Sequence, residues 1–244
     1  MSHHSEPVRF GDLSSGLVKN LERRTSSGAS SARCEAIPDR EAKVARTAMW
    51  SAIEKKIGKR YSRCTFDGFE AETEPQQAVK AAVIDLAKTL PERIAAGGGM
   101  LLFGSPGSGK DHLAICALRA AVMAHGLTAE AIDGQQFFSK ARDCIGGDTR
   151  EQDFVALYTK PDILLMSDPL PVGMTHTEFQ RSTLWRVFDA RYRDEKPIWL
   201  TVNVVNREEL EDRCGAQLAD RMRDGALCLF FNWPTHRRPS NRAG

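Results

Sequence analysis

The sequence predicts an α/β fold in which a parallel five-stranded sheet is flanked by helices, and three features support this prediction. Five short apolar runs of strand length recur along the chain. Segments with helical spacing of apolar residues separate them, and strands that alternate with helices form parallel sheets. The run at residues 100–103 leads through a glycine-rich turn into a helix. The 244 residues suffice for one such domain and a smaller appendage.

Composition narrows the class of protein. Hydrophobic residues make up 41% and charged residues 27% of the chain, which is typical of a globular protein. The six cysteines show neither a Cys-x-x-Cys pair nor a paired histidine spacing, so we expect free thiols in a reducing compartment and no zinc site. Without a membrane-length apolar run or a signal peptide, the expected location is cytoplasmic, with no membrane partner.

The first 60 residues are predicted to form a helical, partly flexible segment that binds a partner, ahead of a main domain at 61–244. Residues 1–63 hold 13 Lys and Arg against 7 Asp and Glu, whereas the rest of the chain is net acidic. This basic front end suits an anionic partner or an acidic protein surface, and a solvated, partly disordered arm is the alternative. The composition of residues 25–31 is that of a flexible linker.

A helix is predicted to begin at Pro38. It carries Trp50, Ile53 and Ile57 on one face and basic residues elsewhere. Two alternatives stay open for its apolar face: docking to a partner, or packing back on the main domain.

The main domain follows in order from a turn at residues 65–69. A helix from Pro75 ends before Pro91, and three glycines at 97–99 lead into the first core strand. The predicted strands are 100–103, 128–132, 163–166, 197–201 and 227–231. Helices are expected after the glycine-rich turn, at 135–145 and 151–157, from Thr177 onward, and at 207–214 and 218–222.

The glycine-rich turn has the form of a phosphate-binding loop. It reads Gly104, Ser105, Pro106, Gly107, Ser108, Gly109, Lys110 and Asp111. Glycines let successive backbone N–H groups point at phosphate oxygens, the following helix adds its positive end, and a lysine reaches the β- and γ-phosphates. A turn that merely joins core elements is the alternative. The complete Gly-x4-Gly-Lys pattern between a strand and a helix favours nucleotide binding.

Two positions depart from the usual pattern of an ATP- and Mg²⁺-binding site. Asp111 stands where a Ser or Thr hydroxyl normally ligates Mg²⁺. The strand at 163–166 is followed by Ser167 and Asp168, where two acids usually follow. We expect Asp111 and Ser167 to face each other across the metal, as a swap that keeps one carboxylate and one hydroxyl. A strand that simply ends in a capping Ser-Asp pair is the alternative reading.

Further polar residues follow the later strands. Asn203 comes just after the strand at 197–201, where an amide can hold an attacking water. Arg221, Arg223 and Arg237 lie further along, and arginines near a γ-phosphate stabilise transition-state charge, sometimes from a neighbouring subunit. Without the phosphate loop, these residues would pass as ordinary strand-end and surface residues.

The order of these parts resembles the DnaC/IstB-like branch of the AAA+ ATPases, which comprises bacterial helicase loaders and transposition helper ATPases. The resemblance covers about residues 60–238 and rests on the following stretches: 65–69, 104–113, 162–168, 200–203, 208–210, 218–223 and 231–237. It implies that Gly104 to Lys110, with the adjoining Asp111 and His112, hold the nucleotide. Asp168 would polarise water, and the aromatic residues Phe66 and Phe69 would lie near the adenine.

The resemblance also assigns roles to the polar residues that follow. Asn203 looks like the sensor at the end of the fourth strand, and Arg237 like the second sensor, which acts in cis. Arg221 looks like the arginine that acts in trans on a neighbouring subunit, with Arg223 as the alternative. The implied partners are a replicative helicase, recruited by the N-terminal segment, and single-stranded DNA, with a homo-oligomer forming when ATP is bound.

Three hypotheses follow for the function. The first is an ATP-dependent replication accessory protein of the helicase-loader kind, which uses ATP binding and slow hydrolysis. The second is a transposition helper of the same fold, whose partner is a transposase. The third is a nucleotide-binding adaptor without hydrolysis, which the unusual residues Asp111 and Ser167 favour.

Overall fold

A computed structural model describes residues 39–144, 151–170 and 175–237. The predicted linker at 25–31 and the first 38 residues lie outside these ranges. In chain order the described elements are α1 Asp39–Ser62, α2 Glu74–Lys88, α3 Leu90–Ala95, β1 Met100–Gly104, α4 Lys110–Met123, β2 Ala129–Asp133, α5 Gly134–Asp143, α6 Glu151–Thr159, β3 Ile163–Ser167, α7 Glu178–Arg193, β4 Ile198–Val202, α8 Arg207–Cys214, α9 Ala216–Arg223 and β5 Leu227–Phe231.

The five strands form one parallel sheet in the order β2-β3-β4-β1-β5. The predicted fold class, a parallel five-stranded α/β sheet flanked by helices, is therefore confirmed. Strand β1 lies between β4 and β5, so the connection from β1 to β2 and the connection from the neighbouring β4 to β5 leave in opposite directions. Ligands of open α/β sheets bind at the carboxyl ends of the strands at such a point, which is where β1 runs into the glycine-rich turn.

Alternation along the strands divides the core between the two faces of the sheet. Met100 and Leu102 of β1 join a cluster with α1, α2 and α4, whereas Leu101 and Phe103 join a cluster with α5 to α9. The same alternation holds in β3 and β4. Because both faces are covered, the strands read as continuous apolar runs rather than alternating ones.

Helix α1 packs on the main domain, which settles the alternative that the sequence left open for its apolar face. Trp50 and Ile53 are 5% and 2% exposed within the cluster that contains α4. Lys56 Nζ lies 2.6 Å from Glu130 Oε1 on β2, and Arg46 donates to the carbonyl of Ala124 just past the end of α4. The compact unit accordingly runs from Pro38, so the proposed boundary at residue 60 falls inside α1.

Arg191 of α7 is a fully buried cation on the side of the sheet where β3 and β4 begin. Its guanidinium donates five hydrogen bonds to four backbone carbonyls, those of Tyr158, Pro161, Asp162 and Pro197. Burial lowers the pKa of Arg191 to about 10, so the side chain stays charged at neutral pH. It ties α7 to the segments that enter β3 and β4.

No helix in the described ranges is long and apolar enough to cross a membrane.

Candidate nucleotide site

The glycine-rich loop closely approaches two neighbouring segments, and this explains its glycines. Gly104 has φ 134°, and a Cβ there would come within 2.3 Å of the Phe231 carbonyl oxygen. Gly109 has φ 97°, and a Cβ there would come within 2.5 Å of the Phe69 ring. Any side chain at either position would force β5 or the turn at 65–69 away from the loop.

Lys110 folds back over this loop. Its Nζ donates to the carbonyls of Gly104 at 3.0 Å and Ser105 at 2.7 Å, and lies 3.4 Å from Ser108 Oγ. Burial lowers the pKa of Lys110, and the nearby charge of Asp111 opposes that shift. The ammonium group is thus held in the loop by neutral oxygens, and an anionic oxygen can replace them because it adds the attraction between opposite charges.

The segment after β5 lies across the same loop. Trp233 Nε1 donates to the Ser108 carbonyl at 2.9 Å, and the His236 N–H donates to the Gly107 carbonyl at 3.0 Å. Arg237 Cδ would lie 3.3 Å from a Cβ on Gly107. Arg237 therefore stands beside the loop in the same chain, where the resemblance expects a cis-acting arginine.

The turn at 65–69 borders the loop on the other side. His112 Nε2 lies 2.7 Å from the Thr65 carbonyl, and its ring meets the Phe69 ring at 5.8 Å in an edge-to-face arrangement. Phe69 is only 4% exposed, whereas Phe66 is half-buried. His112 thus orients the turn in this structure, and a direct contact of His112 with nucleotide stays a prediction.

Asp111 and Ser167, the two unusual positions, are in direct contact. Ser167 Oγ donates to Asp111 Oδ1 at 2.7 Å. Thr201 Oγ1 of β4 donates to the same oxygen at 2.5 Å. The carboxylate lies in the first turn of α4, where the positive end of the helix dipole stabilises negative charge. The structure therefore brings together one carboxylate and two hydroxyls beside the loop.

Asp168 is a partly buried carboxylate, and only one of its two oxygens has a hydrogen-bond donor in the described chain. Asn203 Nδ2 donates to its Oδ2 at 2.7 Å, whereas Oδ1 is buried without a hydrogen-bond partner in the described chain. Its backbone has φ 50°, a left-handed conformation that non-glycine residues seldom adopt. Burial raises the pKa of Asp168, and the charge of Asp111 raises it further. Strain and an unpaired buried oxygen are typical of a group that is kept for a ligand or a proton.

Arg221 lies at the opposite edge of the sheet. It is in the last turn of α9, which leads back to the start of β5, whereas the phosphate loop follows the end of β1. Its Nη1 lies 2.5 Å from Asp189 Oδ1, and its guanidinium stacks 4.1 Å from the Trp185 ring and 4.8 Å from the Tyr192 ring. Arg221 therefore cannot serve the loop of its own chain. Arg223, two residues on in the same turn, is at the same edge.

ATP and Mg²⁺ fit the residues around the loop. A lysine, an arginine and a helix N-terminus supply positive charge for phosphates, and the carboxylates of Asp111 and Asp168 are the hard oxygen donors that Mg²⁺ prefers. The unpaired Oδ1 of Asp168 is the observation that most directly points to a missing partner. Neither acid belongs to a cluster of three or more metal-ligating side chains, since the described residues contain none.

Sequence reasoning missed Thr201 and Trp233 at this site. Thr201 is the register partner of Ser167 on the adjacent parallel strand, so it could have been found once β3 and β4 were taken as neighbours. Trp233 donates across 125 positions of sequence to a loop carbonyl, a contact for which no local pattern exists.

Comparisons with known proteins support the predicted resemblance. No family model matches the chain. The replicative helicase loader DnaC of Buchnera aphidicola is 25% identical over 182 residues, which cover 73% of this chain and 71% of the relative. A crystal structure of the DnaC helicase loader matches with a TM-score of 0.65 at 19% identity, over 72% of this chain and all of that one.

A further solved structure has the same fold: the replication initiator DnaA bound to AMPPCP and single-stranded DNA. It matches with a TM-score of 0.59 at 20% identity, over 72% of this chain and 51% of that one. The fold is thus that of P-loop AAA+ domains, and the resemblance to bacterial helicase loaders predicted from the sequence is confirmed.

Proposed function

We propose that this protein is an ATP-binding accessory factor of DNA replication that engages a replicative helicase and single-stranded DNA. One observation carries the proposal. Lys110, Asp168 with Asn203, and Arg237 converge beside the phosphate loop, in a chain similar to helicase loaders over 73% of its length. A protein of the same fold, DnaA, is known with a nucleotide analogue and single-stranded DNA bound.

Each residue of the site has its own role in this proposal. Backbone N–H groups of the loop and Lys110 hold the phosphates, and Arg237 adds positive charge from the same chain. Asp111 would hold Mg²⁺, which when bound would neutralise part of the phosphate charge. Asp168, oriented by Asn203, accepts a proton from water, and its raised pKa suits a general base better than that of an ordinary aspartate.

Arg221 acts on a neighbouring copy in this proposal. Because it lies at the edge opposite its own loop, it reaches nucleotide only in a homo-oligomer. Asp189, Trp185 and Tyr192 hold its guanidinium on the surface, ready to face a second subunit.

The N-terminal segment is the proposed helicase-binding part. The position of α1 limits how many N-terminal residues can be removed without disturbing the domain. Trp50 and Ile53 belong to the core, so removing residues 1–60 would open the domain. Removing residues 1–37 leaves the compact unit intact, and this truncation is the appropriate one.

Capture of purified replicative helicase on the immobilised protein tests the proposal. The full chain should retain helicase when ATP is present. The variant without residues 1–37 should bind ATP but lose helicase, and Lys110→Ala should lose the ATP-dependent part of the capture. Capture that is equal for all three proteins, or no capture at all, would contradict the proposal. Capture of a transposase instead would support the transposition helper.

Two features of the site also favour the hypothesis of a nucleotide-binding adaptor that does not hydrolyse ATP. Asp111 Oδ1 already accepts two hydroxyl hydrogen bonds, and the metal-organising aspartate is replaced by Ser167. ATP turnover in the presence of single-stranded DNA separates the two functions. Turnover that vanishes in Asp168→Asn indicates an ATPase, whereas tight binding without turnover in the parent protein indicates the adaptor.

A further inference from the structure

Thr201 is a buried polar residue to which the proposed function gives no role. It is 2% exposed in the middle of the sheet. Strand residues on its face, including Trp199 and Leu165, pack in the apolar cluster beneath α4. A hydroxyl on such a face is unfavourable unless it is hydrogen-bonded, and the partner of Thr201 is Asp111.

The register of the sheet places the two hydroxyls side by side. Ser167 of β3 pairs with Thr201 of β4, so both side chains leave the sheet on the face that α4 covers. Their oxygens are 3.2 Å apart. Each hydroxyl has a single proton to donate. The Ser167 and Thr201 oxygens lie 2.7 Å and 2.5 Å from Asp111 Oδ1, and both donate to it. The short distances identify Asp111, rather than the neighbouring hydroxyl, as the acceptor of both.

This arrangement fixes one oxygen of the carboxylate and leaves the other available. Asp111 Oδ1 receives both donors, while Oδ2 accepts no hydrogen bond from any residue the structure describes. Two donors on one oxygen fix the rotation of the carboxylate. Mg²⁺ demands near-ideal octahedral geometry, so an oriented carboxylate oxygen binds it better than one that is free to turn.

We propose that Thr201 is a positioning residue that holds the Asp111 carboxylate so that Oδ2 meets the Mg²⁺ accompanying the nucleotide. The inference rests on the proposed nucleotide binding and adds a residue on β4 to the metal site. In the usual site, a hydroxyl of the loop ligates Mg²⁺ and a carboxylate at the end of a strand supports it. In this chain, a carboxylate beside the loop would ligate Mg²⁺, and two strand hydroxyls would support it.

The test is the Mg²⁺ dependence of binding of a fluorescent ATP analogue by the full chain, titrated from excess EDTA to millimolar Mg²⁺. Thr201→Val removes the hydroxyl at nearly constant volume, and Thr201→Ser retains it. Thr183→Val is the matched control, because Thr183 is also a buried threonine but donates to the Phe179 carbonyl within α7. Thr201→Ala serves as a second variant if the valine does not fold.

In Thr201→Val the Mg²⁺ concentration at half-saturation should rise about 10- to 100-fold, the loss expected for one hydrogen bond to a charged group. Affinity in EDTA should stay at the parent value. Thr201→Ser should come within about 2-fold of the parent, and Thr183→Val should match it.

Two results would overturn the inference. One is an unchanged Mg²⁺ midpoint in Thr201→Val and Thr201→Ala, even with lowered melting temperatures, which would leave Thr201 a purely structural residue. The other is ATP binding by the parent that does not depend on Mg²⁺. Absence of ATP binding by the parent protein would instead contradict the proposed function itself.

Discussion

Two charged side chains at opposite edges of the sheet, Arg191 fully buried and Asp168 partly buried, differ in how the fold satisfies them. Arg191, where β3 and β4 begin, is 0% exposed and donates five hydrogen bonds to backbone carbonyls. Asp168, where β3 ends, has one buried oxygen without a partner in the described residues and a left-handed backbone. The first charge is satisfied by the protein alone, and the second is not.

The difference distinguishes a charge that stabilises the fold from a charge that is kept for function. A cation whose donors are all used rigidifies the chain around it. An anion left half satisfied costs stability, and such costs persist at sites where a ligand or proton transfer needs the group. By this criterion the surroundings of Arg191 are a structural region, and we expect the carboxyl edge, with Lys110 and Asp111, to be the reactive one.

The largest expected effect is on stability at the structural edge. Arg191→Met nearly keeps the volume but leaves four buried or partly buried carbonyls without this donor, which should cost on the order of 3 kcal/mol of unfolding free energy. Urea denaturation measures it. Arg193→Met is the matched control, because Arg193 is exposed and its ion pair with Asp189 is worth less than about 1 kcal/mol. Equal midpoints for the two variants would show that Arg191 is not a structural anchor.

The next effect concerns the reactive edge, where Asp111 and Ser167 are in contact. Asp111→Thr leaves hydroxyls alone, and Ser167→Asp sets two carboxylates against each other, so each should weaken Mg²⁺-ATP binding. The double variant restores one carboxylate and should recover binding, with a coupling of about 0.5–3 kcal/mol between the two positions. Titration of labelled ATP at fixed Mg²⁺ gives all four affinities. Additive losses would mean that the swap is accidental and the site is an eroded ATPase.

The smallest expected effect is the loss of stability at acidic pH that His176 causes. Its Nε2 is 2.9 Å from the Pro169 carbonyl, whereas its Nδ1 is buried without a partner in the described chain. Burial lowers the pKa of His176 in the folded protein. The unfolded chain therefore binds the proton more readily, and stability should fall as the pH drops below about 6.5.

Melting of the parent and of His176→Gln between pH 8 and pH 5 measures this contribution. The parent should lose more stability than the variant on the acidic side, by about 1.4 kcal/mol for each unit by which the pKa is lowered. Parallel pH profiles of stability for the parent and the variant would show that His176 does not contribute to the loss of stability in acid.

The sequence predicted the parts of this molecule that local patterns encode. Strands were found because a sheet covered on both faces produces apolar runs, and the loop because phosphate binding needs glycines at fixed spacing. Contact between Asp111 and Ser167 was expected because each residue replaced the other's usual type. Arg191 and Thr201 were missed, since a buried arginine and a strand threonine look ordinary until their partners, distant in sequence, are known.

Helix α1 shows the same limit. Its apolar face was evident from spacing, but the surface that the face covers depends on α4 and β2, to which no local signal points. The sequence therefore predicted the apolar face and left open whether it docks a partner or packs on the main domain.

The most direct test of the central claim, that the carboxyl edge binds ATP through Lys110, is the shift in melting temperature on adding Mg²⁺-ATP. At about 100 times the dissociation constant, a bound ligand stabilises by about 2.7 kcal/mol, or roughly 5–10 °C for a chain of this size. The parent protein and Lys88→Ala, an exposed lysine in an ion pair with Asp85, should show this rise, and Lys110→Ala should show none. An equal rise in Lys110→Ala, or none in the parent, would contradict the account.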